Sequence, residues 1–280
     1  MITRTDIIKE LSNKGFNAEK QENLKNGVIF KGICIRQSDK ERLVPMIYTD
    51  QLLEKAEIEG WDIGRVTGEI LEIYRRAKEV NITDEDILSE EYVKNHLYIG
   101  LQKQSDERLV KKDTEYEGIE QYLYVRSNFT EDGSNYTTKV KIPFLVSLGI
   151  KEEDAWKLAQ KNTFEETKIE TLNSIMEERT GQDFGNGDIP MYMVTNNCML
   201  QGAAAILNKK EMKKLAKKLK TSIFIMLPSS VHEILVLPYY QSYKEALHDL
   251  SEFSWMVQSA NRNCVDPWDV LANHAYVLEI

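Results

Sequence analysis

The sequence predicts an α+β fold: antiparallel or mixed sheets built from repeated strand–strand–helix units, with helices packed on the sheet faces. Three observations predict it. Strand-length runs, alternating or wholly apolar, recur along the chain, each group followed by a helix-length segment with apolar residues at helical spacing. Turn chemistry such as "EDGSN" falls between the runs. The 280 residues, 42% hydrophobic and 29% charged, have ordinary globular composition and enough chain to bury a core.

The elements follow in order. "MITRTDIIKELSNKGF" reads as a helix capped by Thr5, with Ile7, Ile8 and Leu11 as its stripe and Gly15 at its exit. "NGVIFKGICIRQ" and "LVPMIYTD" are two extended runs across the polar "SDKER", a hairpin candidate. Two helices come next, "TDQLLEKAEIEG" and "WDIGRVTGEILEIYRRAKEV", the second capped by Asp62. Thr83 with Asp86 is another helix start, "HLYIGLQ" a strand, and "SDERLVKKDTEYEG" irregular or weakly helical. "EQYLYVRSNFT" and "YTTKVKIPFLVSLG" read as strands, and "IKEEDAWKLAQKN" as a helix that continues through "TFEETKIETLNSIMEERTG". "IPMYMVTN" opens a third group, with a turn at Asn196-Asn197, the small-residue run Gly202 to Ala205, and the helix "NKKEMKKLAKKLK". "YLYVRSN" resembles "PMYMVTN", and "AWKLAQKN" resembles "KKLAKKLK", at similar offsets; a diverged repeat and a coincidence both account for this. The last quarter reads as strands "TSIFIMLPSS" and "VHEILVLP", a long helix from Ser242 to Asn263, a short helix "DPWDVLANH" and a strand "AYVLEI". The four tryptophans read as core anchors. The expected division is an N-terminal region over 1–105, a middle region over 106–188 and a C-terminal region over 189–280, the last two open to being one domain.

The net charge of −9 repels phosphate backbones, which disfavours nucleic acid as a partner. The N-terminus has no secretory signal pattern, and no window approaches a membrane span. Three scattered cysteines fit reduced thiols and a cytoplasmic location. No CxxC, GxSxG or GxxxxGK[ST] occurs, so neither a metal nor a cofactor is expected.

"LPSSVHEILVLP" gathers Ser229, Ser230, His232 and Glu233. If a strand begins at Val231, His232 and Glu233 point to opposite faces and cannot readily share an ion. HExxH fails because Val236 stands at the second histidine's place. Ser230 and His232 could share a face, but a catalytic pair needs an orienting carboxylate and an oxyanion hole as well. The alternative is a turn whose serines cap backbone groups. Cys198 is a thiol beside a turn with no base at a known distance. The seven lysines from Lys209 to Lys220 surround a stripe of Met212, Leu215, Ala216 and Leu219. Such a helix either meets an anionic surface or packs its stripe on a sheet and solvates its lysines.

"MYMVTNNCMLQGAAAIL", "LPSSVHEILVLP" and "DPWDVLANHAYVLEI" together resemble an uncharacterised bacterial family, domain of unknown function 5688, most clearly over 189–280. Ala272 stands where the pattern has serine. The resemblance implies an intracellular bacterial protein with no assigned activity. It places Asn196, Gly202 to Ala205, Ser229, Ser230, His232, Glu233 and His274 in one pattern, which serves either folding or a pocket; Asn196, Ser229, Ser230, His232, Glu233 and His274 are the residues expected to bind a ligand. The favoured reading is a non-enzymatic binding or regulatory protein acting on a protein or small molecule. The alternative is a hydrolase or transferase using Ser230 or Cys198 with His232 or His274, and Glu233 as acid or base.

Overall fold

The structure is a computed structural model, described over residues 1–36, 41, 44–79, 84–128, 135–182 and 190–280. It is an α+β chain in which every described strand pairing is antiparallel. Its residues group into two units, Met1–Val93 with Arg126–Thr137, and Lys94–Val125 with Thr138–Ile280.

In the first unit, α1 (Arg4–Asn13) is capped by Thr3 rather than Thr5. The Thr3 hydroxyl accepts from the Asp6 N–H, and the Asp6 carboxylate accepts the Thr3 N–H at 2.9 Å in return. The acid three residues on selects the cap, because it completes a reciprocal capping box. Strands β1 (Asn17–Lys25) and β2 (Val28–Arg36) form a long ladder. Asn26 and Gly27, both at positive φ, join them in a two-residue hairpin turn. Strand β3 (Met46–Tyr48) pairs with β2, which is the expected hairpin; its connecting loop lies mostly outside the described residues. Helices α2 (Asp50–Glu59), α3 (Ile63–Glu79), α4 (Asp84–Leu88) and α5 (Glu90–Asn95) follow. Asp62 does start α3, its carboxylate accepting from the Arg65 N–H at 2.8 Å. The expected start at Thr83 lies outside the described residues. Ile7 and Leu11 meet Ile33, Ile35, Ile47, Val66, Ile70 and Tyr74 in one core, so the helical and strand periodicities converge there.

The second unit contains two sheets. β4 (Leu97–Lys103), β5 (Lys111–Asp113), β6 (Ile119–Arg126) and β7 (Thr137–Lys139) make one, with β6 between β4 and β5 and β7 also on β6. β5 corrects the irregular or helical expectation: "KKD" has no apolar pattern and takes its shape from the ladder to β6. Past β7 the predicted extended run instead becomes α6 (Ile142–Ser147), with Pro143 in its first turn, where a missing N–H costs nothing. α7 (Glu152–Glu165) buries Ala155, Trp156 and Ala159. The predicted helical continuation is broken by β8 (Thr167–Thr171), whose five residues pair with β9, and only then does α8 (Leu172–Thr180) begin. Here tertiary pairing overrides local periodicity.

β9 (Tyr192–Asn196) leads to a 3₁₀ turn over Gly202–Leu207, then α9 (Lys209–Leu219), β10 (Ile223–Leu227), β11 (Ile234–Tyr239), α10 (Tyr243–Asn263) and β12 (Tyr276–Glu279). The second sheet runs β12-β10-β11-β9-β8. The resembling stretches fall on strand in β6 and β9, and on helix in α7 and α9. α10 lays Ala246, Leu250, Phe253 and Val257 against Ile225, Leu227, Leu235 and Leu237 of this sheet. The helix expected in "DPWDVLANH" is a single turn, with the Asp269 and Val270 N–H groups both on the Asp266 carbonyl. It stops there because the Leu271 and Ala272 N–H groups bond the carbonyls of Ser229 and Pro228. Among the described residues no helix is long and apolar enough to cross a membrane.

Candidate functional site

The stretch from Pro228 to Glu233 links β10 to β11. A strand from Val231 was expected, but β11 begins only at Ile234, and 231–233 bend. The bend follows from where the backbone groups go. The Val231 N–H reaches the Asp269 carbonyl at 2.8 Å, and Ser230 bridges Val270. The His232 N–H turns onto the Ser230 hydroxyl at 3.0 Å. The His232 carbonyl accepts from the Thr195 hydroxyl at 2.8 Å and the Gly202 N–H at 3.0 Å.

The imidazole is held at Nδ1 and faces a carboxylate at Nε2. Nδ1 accepts the Gln201 backbone N–H at 3.0 Å, which places the ring proton on Nε2. Nε2 lies 3.4 Å from the Asp269 carboxylate. A carboxylate from a distant segment, Asp269, therefore faces His232. The Ser230 oxygen is engaged by the histidine's backbone rather than its ring.

Asn196 closes the turn after β9. Its Oδ1 accepts the Leu200 N–H at 3.2 Å and the Cys198 thiol at 3.3 Å, and its Nδ2 donates to the Leu200 carbonyl at 2.9 Å. Those bonds hold Met199 and Gln201 in the left-handed region. They aim the Gln201 N–H at the imidazole. Gly202 then passes so close to its neighbours that a Cβ there would lie 2.3 Å from the Thr195 hydroxyl and 2.7 Å from the His232 carbonyl oxygen. The small-residue run is thus a requirement of packing: Gly202 to Ala205 are all buried. Gln201 Oε1 is also buried and has no hydrogen-bond partner among the described residues.

The structure brings Asn196, Cys198, Ser230 and His232 into one bonded framework, with Ser229 contributing its carbonyl to Leu271. His274 is exposed and packs on the Tyr276 ring, centroids 4.5 Å apart. No hydrogen bond or ring contact joins it to His232 among the described residues. Nor do the described residues include a group of three or more histidine, cysteine or carboxylate side chains arranged to hold a metal ion.

Sequence reasoning missed Asp269, Thr195 and Gln201, which meet His232 only through the fold. "DPWD" supplied the one available signal, and it was read as a helix start. A polar network on the four-stranded sheet was missed too. Glu120, 2% exposed, accepts from Gln102 at 2.7 Å, Ser105 at 2.8 Å and Lys111 at 2.9 Å. Lys139 links Gln102 to Glu107. The buried carboxylate is fully satisfied, as a buried charge requires. It floors an open recess of about 530 Å³ lined also by Gln104, Asp106, Lys112 and Asp113. The signal was a glutamate breaking the apolar run of β6, with a lysine on the strand that pairs there.

A model of the family of unknown function DUF5688 matches residues 3–279, nearly the whole chain, and the chain belongs to that family. No curated protein and no solved structure matches it.

Proposed function

We propose that the chain is a non-enzymatic binding or regulatory protein, and that the cluster around His232 shapes a surface instead of turning over a substrate. The observation that carries this is the engagement of the imidazole away from the Ser230 hydroxyl, with Nδ1 accepting the Gln201 N–H and Nε2 facing Asp269 at 3.4 Å. A general base for Ser230 would need a ring nitrogen on the hydroxyl, and the hydroxyl bonds the His232 backbone instead. In this reading Asn196, Ser230 and His232 hold the turn. Ser229, Glu233 and His274 belong to the surface offered to a small molecule or protein. The unpartnered Gln201 Oε1, on the residue whose backbone N–H holds the imidazole, supports a polar contact there.

The test is covalent labelling of the intact protein with a fluorophosphonate and with iodoacetamide, read by mass spectrometry. The expected result is no fluorophosphonate on Ser230 and only slow alkylation of Cys198. Removing the imidazole in His232→Ala should cost stability, about 1 kcal/mol, because the part-buried Gln201 N–H loses its acceptor. Stoichiometric labelling of Ser230 that disappears in His232→Ala would establish the hydrolase or transferase reading in its place.

A further inference from the structure

The tryptophans were expected to anchor cores, and Trp61 and Trp156 do, but Trp255 on α10 is 65% exposed. It has company. Leu247 is 50% exposed, Tyr243 41% and Tyr240 61%. The inward face of α10 is already accounted for by Ala246, Leu250, Phe253 and Val257, so Tyr243, Leu247 and Trp255 are a second apolar set on the same helix, and Tyr240 precedes it. Exposed aromatic and leucine side chains gathered in one patch mark contact surfaces.

The charges around them say what fits. Lys244, Leu247, Ser251, Trp255, Gln258 and Arg262 follow one another at spacings of three and four, which puts them on a single face, and all are exposed. The stripe has a cation at each end, an apolar pair between, and no acid. Lys244 and Arg262 lie five helical turns apart, or about 27 Å. The helix's acids lie off the stripe: Glu245 closes the cap with Ser242, Asp249 accepts from Tyr239 at 2.6 Å, and Glu252 is exposed beside it, three positions before Trp255.

A second copy of the chain does not suit this face. Two such stripes laid antiparallel about their centre oppose Lys244 with Arg262, and laid parallel they oppose each cation with itself. An anionic lipid surface suits it poorly as well, because interfacial helices are rich in Lys and Arg and this face carries two cations. We propose that the outer face of α10 docks an acidic amphipathic helix of another protein, its apolar residues covering Leu247 and Trp255 and its terminal carboxylates meeting Lys244 and Arg262. This deepens the binding reading by naming a partner. The two fail separately, since labelling at Ser230 bears on His232 and leaves α10 untouched.

The test uses the full chain and a fluorescein-labelled helical peptide with a leucine stripe and glutamates at both ends. A counterpart carries lysines in place of the glutamates. Fluorescence anisotropy should show the glutamate peptide binding about tenfold more tightly or better. The double variant Lys244→Glu, Arg262→Glu should reverse that preference. Trp255→Ser should weaken both peptides by about tenfold or more. An unchanged melting temperature in each variant shows that the fold is intact. The proposal is overturned if neither peptide binds, or if the double variant keeps the wild-type preference. It also falls if only vesicles of phosphatidylcholine and phosphatidylserine in equal parts bind. A dimer in sedimentation that Trp255→Ser dissolves would assign the face to a second copy and end the proposal too.

Discussion

Helices α9 and α10 belong to the same unit, and both are amphipathic, yet they use their faces differently. α9 looks unusual in sequence, with seven lysines in and around it, and is locally ordinary. Met212 and Leu215 are buried, Lys214 pairs with Glu211 at 2.7 Å and Lys209 with Glu115 at 3.3 Å, and all seven lysines are exposed. α10 looks ordinary in sequence and is not. It fills its place on the sheet with one stripe and still presents Leu247 and Trp255 outside. Charge density along a helix is a poor guide to function, because solvated lysines cost nothing. Apolar area left in water after the core is filled costs about 25 cal/mol per Å², so it calls for an explanation.

The largest expected effect separates the two stripes. Met212→Ala opens a void under α9 and should destabilise the protein by about 2–5 kcal/mol. Trp255→Ala removes a larger side chain from α10 and should change stability by less than about 0.5 kcal/mol. Urea unfolding measures both. Equal losses would show that Trp255 is packed in solution, and the contrast between the helices would disappear.

The caps give a smaller contrast. Asn208 starts α9, accepting the Glu211 N–H while its amide donates to the Phe164 carbonyl and to Thr167 at 3.0 Å. Ser242 starts α10 at the surface. Asn208→Ala should therefore cost about 2 kcal/mol, because a buried carbonyl loses its donor as well as the helix its cap. Ser242→Ala should cost about 1 kcal/mol or less. Thermal melts of the two variants side by side check the order, and a reversed order would mean that the Asn208 bonds to α7 and β8 carry no weight.

The same contrast explains how much was legible in the sequence. α3, α7, α9 and α10 were readable because each carries its own helical period, and the strands β2, β4, β6, β10 and β12 because each is an apolar run of strand length, β4, β6 and β10 buried on both faces. β1, "NAEKQENLK", and β5, "KKD", were not, since a polar strand takes its conformation from the ladder beside it. β8 was hidden inside a helical pattern for the same reason. At the candidate site the residues of the family pattern were recognised, but not their bonds. Ser230 and His232 are two positions apart in sequence, whereas Asp269 and Gln201 reach the imidazole from distant segments. The outer stripe of α10 could have been read from the spacing of Lys244, Leu247, Trp255 and Arg262. It was passed over because a tryptophan in a helix was assumed to be core.

The smallest expected effect is a pH dependence confined to one of the two helices. The Glu245 carboxylate accepts both the N–H and the hydroxyl of Ser242, and those bonds hold it below the usual glutamate range. A carboxyl whose folded pKa is depressed adds stability above its unfolded pKa, about 4.3, and loses that stability as pH falls through the folded value. α9 is capped by Asn208, which does not titrate, and Glu211 in its first turn bonds Lys214 rather than the cap backbone. Protection of the Glu245 amide against hydrogen exchange should therefore drop between pH 6 and pH 3, about the interval where carboxylates titrate. Protection of the Glu211 amide, normalised to its unstructured rate, should hold over the same interval. The effect is modest, since the Glu245 carboxylate is fully exposed. Parallel loss at both amides would mean that acid loosens the whole unit, and the cap of α10 would not be the group responsible.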